Sequence, residues 1–506
     1  MRQKTEQKVL TLHNKCGIMC SGYHQLEVCM NNLIFDTIAI LIRLSIKLLG
    51  DGDVEEIKGD EELVASAQKF LLWNDKNNDV SQRYANIIEE CEKKKDYYFV
   101  RAVICDLDRH IDLTDAIRTY DFNTMKISSQ KAKSFMGLNS NVDETDIIIL
   151  PRVKMLKALN ERTNAAGERL PRKNANDWLD DINKRLNQIY YVKKSEIAGY
   201  KIKNYLFASP VEQDDKDFIR IGMSPILNYS LDDLFDIEYC YGVTPDGLHQ
   251  TQLFRIRNVL CEALINKKAK AAFDRACAEG CDIFISPEML GSDELSSADN
   301  EISETFRPKI SNKYKTPFLT LPPTQWKDQK NVLTIFDQNG EKIGEQHKQN
   351  RFKYNHNHTD WNEDLQSSNR EILLIHIEGW GRFAFPICVD FLNEQYRSIL
   401  TKQLQSTFLI CPSFSSGTYN FDLSAANDSE FEVRTIWVNS CSAHEHSVNC
   451  VGEVSVPTCL DRSRRTPIKR QCEGICKDIC LFVVDIPKDC NDKNKNVEVR
   501  HIYESE

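Results

Sequence analysis

An uninterrupted apolar stretch long enough to cross a bilayer is missing from this 506-residue chain. The longest apolar run, Leu33 to Leu49, is broken by Asp36, Arg43 and Lys47, which fall near one helical face and mark an amphipathic helix. No membrane span is therefore expected. An excess of positive charge is missing too, and a formal net charge of -10 leaves no electrostatic reason to expect nucleic acid as the main ligand. Met1 to Lys15 is charged and lacks an apolar segment with a small-residue cleavage site, so a secretory signal is not expected and the cytoplasm is the natural location. Internal repeats and low-complexity tracts are absent, which removes solenoids and arrays. Met1 to Ser209 carries no polymerase or nuclease motif.

What is present fits a soluble globular protein, with 41% hydrophobic and 28% charged residues. The length exceeds one ordinary core, so two domains are the default expectation. The 18 cysteines are spread along a large chain with no sign of export, and most are expected as reduced, buried thiols and not as a disulfide scaffold.

Helical periodicity dominates Met1 to Ser209: Leu33 to Leu49, Glu61 to Trp73, Ser81 to Lys94, Val153 to Leu159 and Trp178 to Tyr191 place apolar residues three and four apart. This half is expected to be mainly α. Two short runs, Tyr98 to Cys105 and Asp146 to Leu150, are compatible with strand or buried helix. The acidic, proline-broken stretch Ser209 to Asp215 has linker composition and marks the domain boundary.

Beyond it, short β-rich runs alternate with helices: Phe218 to Met223, Asp282 to Ser286, Phe318 to Leu321, Val332 to Phe336, Ile372 to Ile377, Phe383 to Ile387, Thr407 to Cys411, Thr435 to Asn439 and Leu481 to Ile486. That texture is α/β. Arg255 to Glu279 has the clearest helical stripe, through Ile256, Val259, Leu260, Ala263, Leu264, Ala272, Phe273 and Ala276, with Gly280 as its stop signal. The polar stretch Lys488 to Glu506 is expected to fray.

Three passages place a reactive residue at a strand end. Ile283 to Ile285 runs through Ser286 and Pro287 into Glu288; partial desolvation there raises a carboxylate's pKa and suits it to general-base work. Val332 to Phe336 turns at Asn339-Gly340 and returns to Lys348. Phe383 to Ile387 leads into Cys388, Val389 and Asp390, a strand-to-helix turn that exposes a nucleophile beside backbone N–H groups. Singly, each passage has an ordinary structural explanation: a turn glutamate, a surface lysine, a packing cysteine.

In that order, and at these separations, Pro287-Glu288, Lys348 and Ile387-Cys388-Val389-Asp390 resemble the nitrilase superfamily of carbon-nitrogen hydrolases. Sixty residues separate Glu288 from Lys348 and forty separate Lys348 from Cys388. The likeness extends to Arg220–Met223, Cys411-Pro412-Ser413, Val438-Asn439 and Gly452–Pro457, and covers about Phe218 to Pro487. It implies a four-layer α-β-β-α sandwich, preceded here by a mainly helical domain of unknown role. It implies also that Glu288 takes the thiol proton and that Cys388 attacks an amide, carbamoyl or nitrile carbon to form a thioester. Lys348 and the Val389 backbone N–H would hold the oxyanion. A second glutamate between Lys and Cys is common in such proteins, and Glu363 is the candidate, with Glu371 the alternative. Cys-Val-Asp is closer to the Cys-Tyr-Asp of amidase-type branches than to the Cys-Trp-Glu of true nitrilases, which favours an amide-type substrate. The same likeness implies a homo-oligomer, and the chemistry requires no cofactor.

Other signals are set aside. Cys472, Cys476 and Cys480, with Cys450, Cys459, His444 and His446 upstream, lack the spacing of common zinc knuckles and are more simply packing thiols. Arg462, Arg464, Arg465, Lys469 and Arg470 form a basic run that reads as a solvated loop. His356, His358 and Asp360 lie in an Asn-rich loop and read as surface residues, so no metal site is expected. The rival to a hydrolase is a weakly active or inactive small-molecule-binding, regulatory module, conceivable in a bacterial defence protein.

Overall fold

The computed structural model describes residues 37–48, 80–109, 146–153, 156, 182–183, 186–207, 217–243, 250–296, 303–307, 316–356, 358–366, 370–443, 450–458, 462–470, 479–489 and 496–504. The chain divides into two compact units, Met1–Lys154 with Arg162–Ala208, and Ser209–Glu506 with Met155–Glu161. The segments Glu61 to Trp73 and Ala208 to Lys216, most of Val153 to Leu159 and the smaller part of Trp178 to Tyr191 lie outside the described residues.

In the first unit, a helix at 37–48 and the helices Val80–Lys94 and Tyr97–Arg109 share a core with strands β1 (Ile147–Pro151) and β2 (Ile189–Lys193), which pair antiparallel. Strand β3 (Lys201–Phe207) adds Leu206 to that core. The open run Tyr98 to Cys105 is helix. Asp96 Oδ1 accepts from the N–H groups of Tyr98 and Phe99 at 2.9 and 3.2 Å, capping its first turn. Its apolar residues are buried nearly all round, which hid its period. The other open run, Asp146 to Leu150, is strand β1.

The second unit is mixed α/β. Its strands in chain order are β4 (Phe218–Met223), β5 (Phe235–Val243), β6 (Gln250–Val259), β7 (Ile283–Ile285), β8 (Leu319–Leu321), β9 (Gln325–Lys327), β10 (Lys330–Asp337) and β11 (Lys342–His347). There follow β12 (Lys353–His356), β13 (Thr359–Glu363), β14 (Glu371–Ile377), β15 (Gly381–Ala384), β16 (Phe408–Ser413), β17 (Arg434–Asn439), β18 (Cys450–Thr458), β19 (Arg462–Lys469), β20 (Ile479–Pro487) and β21 (Glu498–Glu504). One sheet has the order β11-β10-β8-β7-β4-β20-β21, with β9 on β10; a second runs β19-β18-β17-β16-β15-β14; a third runs β12-β13-β6-β5. The parallel pairs β4–β7–β8 and β15–β16–β17 lie at the centres of the two larger sheets, where buried strands read as continuous apolar runs.

Helix Glu262–Ala278 covers one face of the first sheet: Phe273 and Ala276 join Phe284, Phe336, Leu481 and Val483 in one core. The approach is close, since a Cβ added to Gly222 would lie 3.1 Å from Ala276 Cβ. Met223, one residue on and so on the opposite face, reaches the second sheet, where a Cβ on Gly452 would lie 3.1 Å from Met223 Cε. Helix Tyr419–Asp428 packs on the second sheet through Phe421 stacked on Trp437, ring centroids 4.7 Å apart.

Three expectations are corrected. Arg255 to Glu279 is not one helix: Arg255 to Val259 completes strand β6, paired with β5, and the helix starts at Glu262. Ile256, Val259 and Leu260 sit three and four apart and continue the stripe of Ala263 and Leu264, so the helical period ran back into a strand that does not alternate there. Lys488 to Glu506 is not merely frayed, because Glu498–Glu504 forms β21 against β20, with His501 stacked on Phe482 at 4.0 Å. The basic run 462–470 is an edge strand, β19, and not a loop.

Candidate active site

Each chemical residue sits where a strand leaves a sheet. Glu288 follows β7 by three residues, and its own N–H donates to Ser413 O at 3.3 Å at the end of β16. Lys348 follows β11, and its N–H donates to Asn331 O at 2.9 Å on the neighbouring strand. The hairpin that delivers it turns as expected: Gly340 takes φ 75°, and Asp337 Oδ1 accepts from the N–H groups of Asn339 and Glu341. Cys388 follows β15, and its N–H donates to Pro412 O at 2.9 Å. Glu363 is the last residue of β13.

These four positions, drawn from four strands, form one cluster with almost no solvent contact. Glu288 and Glu363 are 0% exposed, and Lys348 and Cys388 are 2% exposed. Lys348 Nζ lies 2.7 Å from Glu288 Oε1 and 2.7 Å from Glu363 Oε2. Lys348 therefore bridges the two carboxylates, and Glu363, not Glu371, is its second partner. Glu288 Oε1 also accepts from Asn331 Nδ2 at 2.8 Å, and its Oε2 accepts from Phe414 N–H at 2.9 Å. Glu363 Oε2 accepts from Phe352 N–H at 2.9 Å as well. Two acceptor oxygens of the cluster, Glu363 Oε1 and Asn331 Oδ1, are buried without a hydrogen-bond partner.

The electrostatics follow from two anions around one cation in a dry setting. Burial raises the Glu288 pKa above the usual carboxylate value, with Glu363 adding to the rise and Lys348 opposing it. For Lys348, burial disfavours the charge, yet Glu288, Glu363 and Cys388 together hold its pKa well above the usual lysine value. Burial and then the Glu288 charge push the Cys388 thiol well up, so the resting sulfur carries its proton. The Glu288 carboxylate and the Lys348 ammonium both act on the Cys388 thiol electrostatically, in opposite directions.

The backbone is strained at Cys388. Cys388 adopts φ 48° and ψ -110°, outside the conformations an L residue prefers, and Met289, directly after Glu288, adopts φ 68°. Val389 opens the one-turn helix Val389–Leu392, a position whose N–H has no acceptor inside the helix. Asp390, fully buried, holds the turn to the lysine strand: its carboxylate accepts from the N–H groups of Gln349 and Asn350 and from Asn350 Nδ2. Burial raises its pKa to about 7 despite those donors. Asn393 caps the next helix, Glu394–Ser398, accepting from Tyr396 N–H at 3.0 Å.

The structure brings together the residues singled out in the sequence, Glu288, Lys348, Cys388 and Glu363, and adds Asn331 and the Phe414 N–H, which sequence reasoning did not name. An asparagine inside an apolar strand, Asn331 before Val332, was the available signal. Asp360 is engaged by Lys353 and Asn355, and His358 is exposed. The His356 side chain and Cys459, Cys472, Cys476, His444 and His446 lie outside the described residues. Among the described residues no His, Cys, Asp and Glu group has metal-binding geometry, all eleven cysteines are free thiols, and no helix is long and apolar enough to cross a membrane.

No family model and no curated protein matches the sequence. Among solved structures, the chain is similar to a nitrilase-superfamily amidase from Nesterenkonia AN1, at 12% identity and TM-score 0.33, over 53% of this chain and 90% of that one. It is similar also to a glutamine-dependent NAD+ synthetase from Acinetobacter baumannii, at 12% identity and TM-score 0.33, covering 57% of this chain and 48% of that one. A third likeness is the C. elegans NitFhit protein, at 15% identity and TM-score 0.33, covering 50% of this chain and 61% of that one.

Proposed function

We propose that the second unit is a thiol hydrolase of a non-peptide carbon-nitrogen bond, with Cys388 as nucleophile. The observation that carries this reading is the buried Glu288–Lys348–Glu363 cluster in contact with a cysteine held at φ 48°. Stability alone gives no reason to bury two carboxylates on one ammonium beside a strained thiol. In the reaction, Glu288 accepts the thiol proton as sulfur attacks an amide-type carbon. The developing oxyanion meets Lys348 Nζ and the Val389 N–H. Protonated Glu288 then delivers its proton to the departing nitrogen, leaving a thioester and free ammonia or amine. Water, deprotonated by Glu288, attacks the thioester and releases the acid and the thiol. Glu363 holds Lys348 in place, and the layers of helix, sheet, sheet and helix form an α-β-β-α sandwich whose strand ends carry the site.

The test is intact-mass labelling with iodoacetamide near neutral pH, with peptide mapping, for the full chain, Cys388→Ala and Glu288→Gln. Selective, fast labelling at Cys388 that slows in Glu288→Gln is expected, together with ammonia release from a panel of primary amides. Labelling no faster than at the other accessible thiols would transfer the reading to a small-molecule-binding, regulatory module.

A further inference from the structure

The third sheet, β12-β13-β6-β5, ends at the proposed site, and one of its faces is aromatic. Glu363 is in register with Phe254 across the parallel pair β13–β6, and Phe254 lies opposite Tyr239 on β5. Tyr354 lies opposite Trp361 on the other side. Residues in register point to one face, as do residues two apart on a strand, so Glu363, Trp361, Tyr354, Phe254, Tyr239 and Tyr241 share it. The ring contacts agree: Tyr239 and Trp361 centroids are 4.8 Å apart, Tyr241 and Trp361 6.0 Å, and Phe254 and Tyr354 6.0 Å.

Exposure rises along this face from the buried cluster outward, with Glu363 at 0%, Phe254 at 4% and Tyr241 at 69%. Two polar atoms on it are buried and unpartnered among the described residues: Glu363 Oε1 at the inner end and the Trp361 indole Nε1–H two residues earlier. Two strand residues span roughly 7 Å, about the length of a bicyclic ring system. Between these atoms the described residues of the face present π surfaces and no charge, so they offer nothing to a phosphate or carboxylate tail.

We infer that this face is the specificity wall of the site and takes a flat, neutral aromatic or heteroaromatic group attached to the scissile amide. The ring lies against Trp361 and Tyr239, supplies an acceptor to the Trp361 N–H, and places its amide beside Glu363 and Cys388. Offset or edge-to-face contact with aromatic side chains favours such a group over an alkyl chain by about tenfold in affinity. This inference rests on the proposed hydrolase reading, since it names the substrate class of that same site.

The experiment measures the second-order alkylation rate of Cys388 in the full chain by chloroacetamide, N-hexylchloroacetamide, N-phenylchloroacetamide and N-(2-naphthyl)chloroacetamide. Each rate is divided by that reagent's rate with glutathione. In every case the Cys388 sulfur displaces chloride, so no turnover is needed. A normalised aryl-to-hexyl preference of about tenfold or more is expected, falling towards unity in Trp361→Leu and several-fold in Tyr241→Leu; the latter site is exposed enough to accept the change without unfolding. Equal aryl and hexyl rates, or a preference untouched by both substitutions, overturn the inference. The hydrolase reading fails separately, if Cys388 reacts with chloroacetamide itself no faster than glutathione does.

Discussion

Among the described residues of the second unit two buried ionic clusters stand out, and they differ in kind. Under helix Tyr419–Asp428, Arg397 Nε donates to Asp428 Oδ1 at 2.9 Å, while its Nη1 donates to Phe391 O and to Ser424 Oγ. One cation meets one anion, both on neighbouring helical segments in ordinary backbone conformation. At the strand ends, one cation meets two anions drawn from three separate strands, beside a thiol on strained backbone. The first cluster is a packing solution for an arginine. The second carries surplus charge that folding does not need, which is what a site for moving a proton requires.

The comparison is broken or sharpened by substitution, beginning with the largest expected effect. Cys388→Ala is expected to abolish amide hydrolysis in a protein that still unfolds cooperatively, as read by ammonia release and circular dichroism. Glu288→Gln is expected to lower kcat/KM by about 10²- to 10⁴-fold, the usual weight of general-base catalysis. Retained activity in either variant would place the strand-end cluster in the same class as the Arg397 pair.

The two clusters separate again in stability. Arg397→Met strands the buried Asp428 carboxylate and is expected to destabilise the fold by about 3–5 kcal/mol in urea titration, with normal kcat/KM in the folded fraction. Glu363→Gln removes the surplus anion, so stability is expected to hold or rise while activity falls by at least about tenfold. Loss of stability without loss of activity in Glu363→Gln would reverse the assignment.

Acid dependence gives a finer test. Burial raises the Glu288 pKa, so the base is lost as pH falls through a value above the ordinary glutamate range, and kcat/KM is expected to show its acid limb there. Above that limb, Cys388 alkylation is expected to plateau instead of climbing through the usual thiol range, because Glu288 and not hydroxide takes the proton. Asp390 makes the related stability statement. Burial raises its pKa from the ordinary aspartate value of 3.8 to about 7, so its stabilising contribution is complete below about pH 4 and is lost as pH rises through about 7. Urea titrations at pH 5 and pH 8 are expected to show a smaller pH difference in Asp390→Asn than in the parent. The smallest effect belongs to Asn331→Ser, which removes one of the donors to Glu288 Oε1; an acid limb shifted upward, with about tenfold lower kcat/KM, is expected.

The legible part of this molecule was local. Apolar runs such as Ile283–Ile285 and Phe408–Cys411 are strands because a parallel strand buried on both faces is apolar throughout, and the pattern survives in one dimension. Asn339-Gly340 announced its turn because left-handed φ is needed there and few residues supply it. Tyr97–Arg109 was ambiguous because a helix buried nearly all round loses the amphipathic stripe that identifies one. The end of strand β6 passed for helix because Ile256, Val259 and Leu260 carry the helical spacing of the segment that follows. The edge strands β19 and β21 are half polar, as solvent-facing strands are, and so read as loop or tail.

By itself, the sequence singled out Glu288, Lys348 and Cys388 as candidates, each just after a strand, in an order and spacing that suit one site. Tertiary structure decided between Glu363 and Glu371 as the second partner of Lys348, and alone showed that Asn331 and the Phe414 N–H hold Glu288 and that an aromatic face leads out from the cluster. The physical reason is that hydrophobic patterning records how deeply each segment is buried and on which face. The partners of a buried charge, and the pairing of β13 with a strand more than a hundred residues earlier, depend on how the segments are assembled, which no single segment encodes.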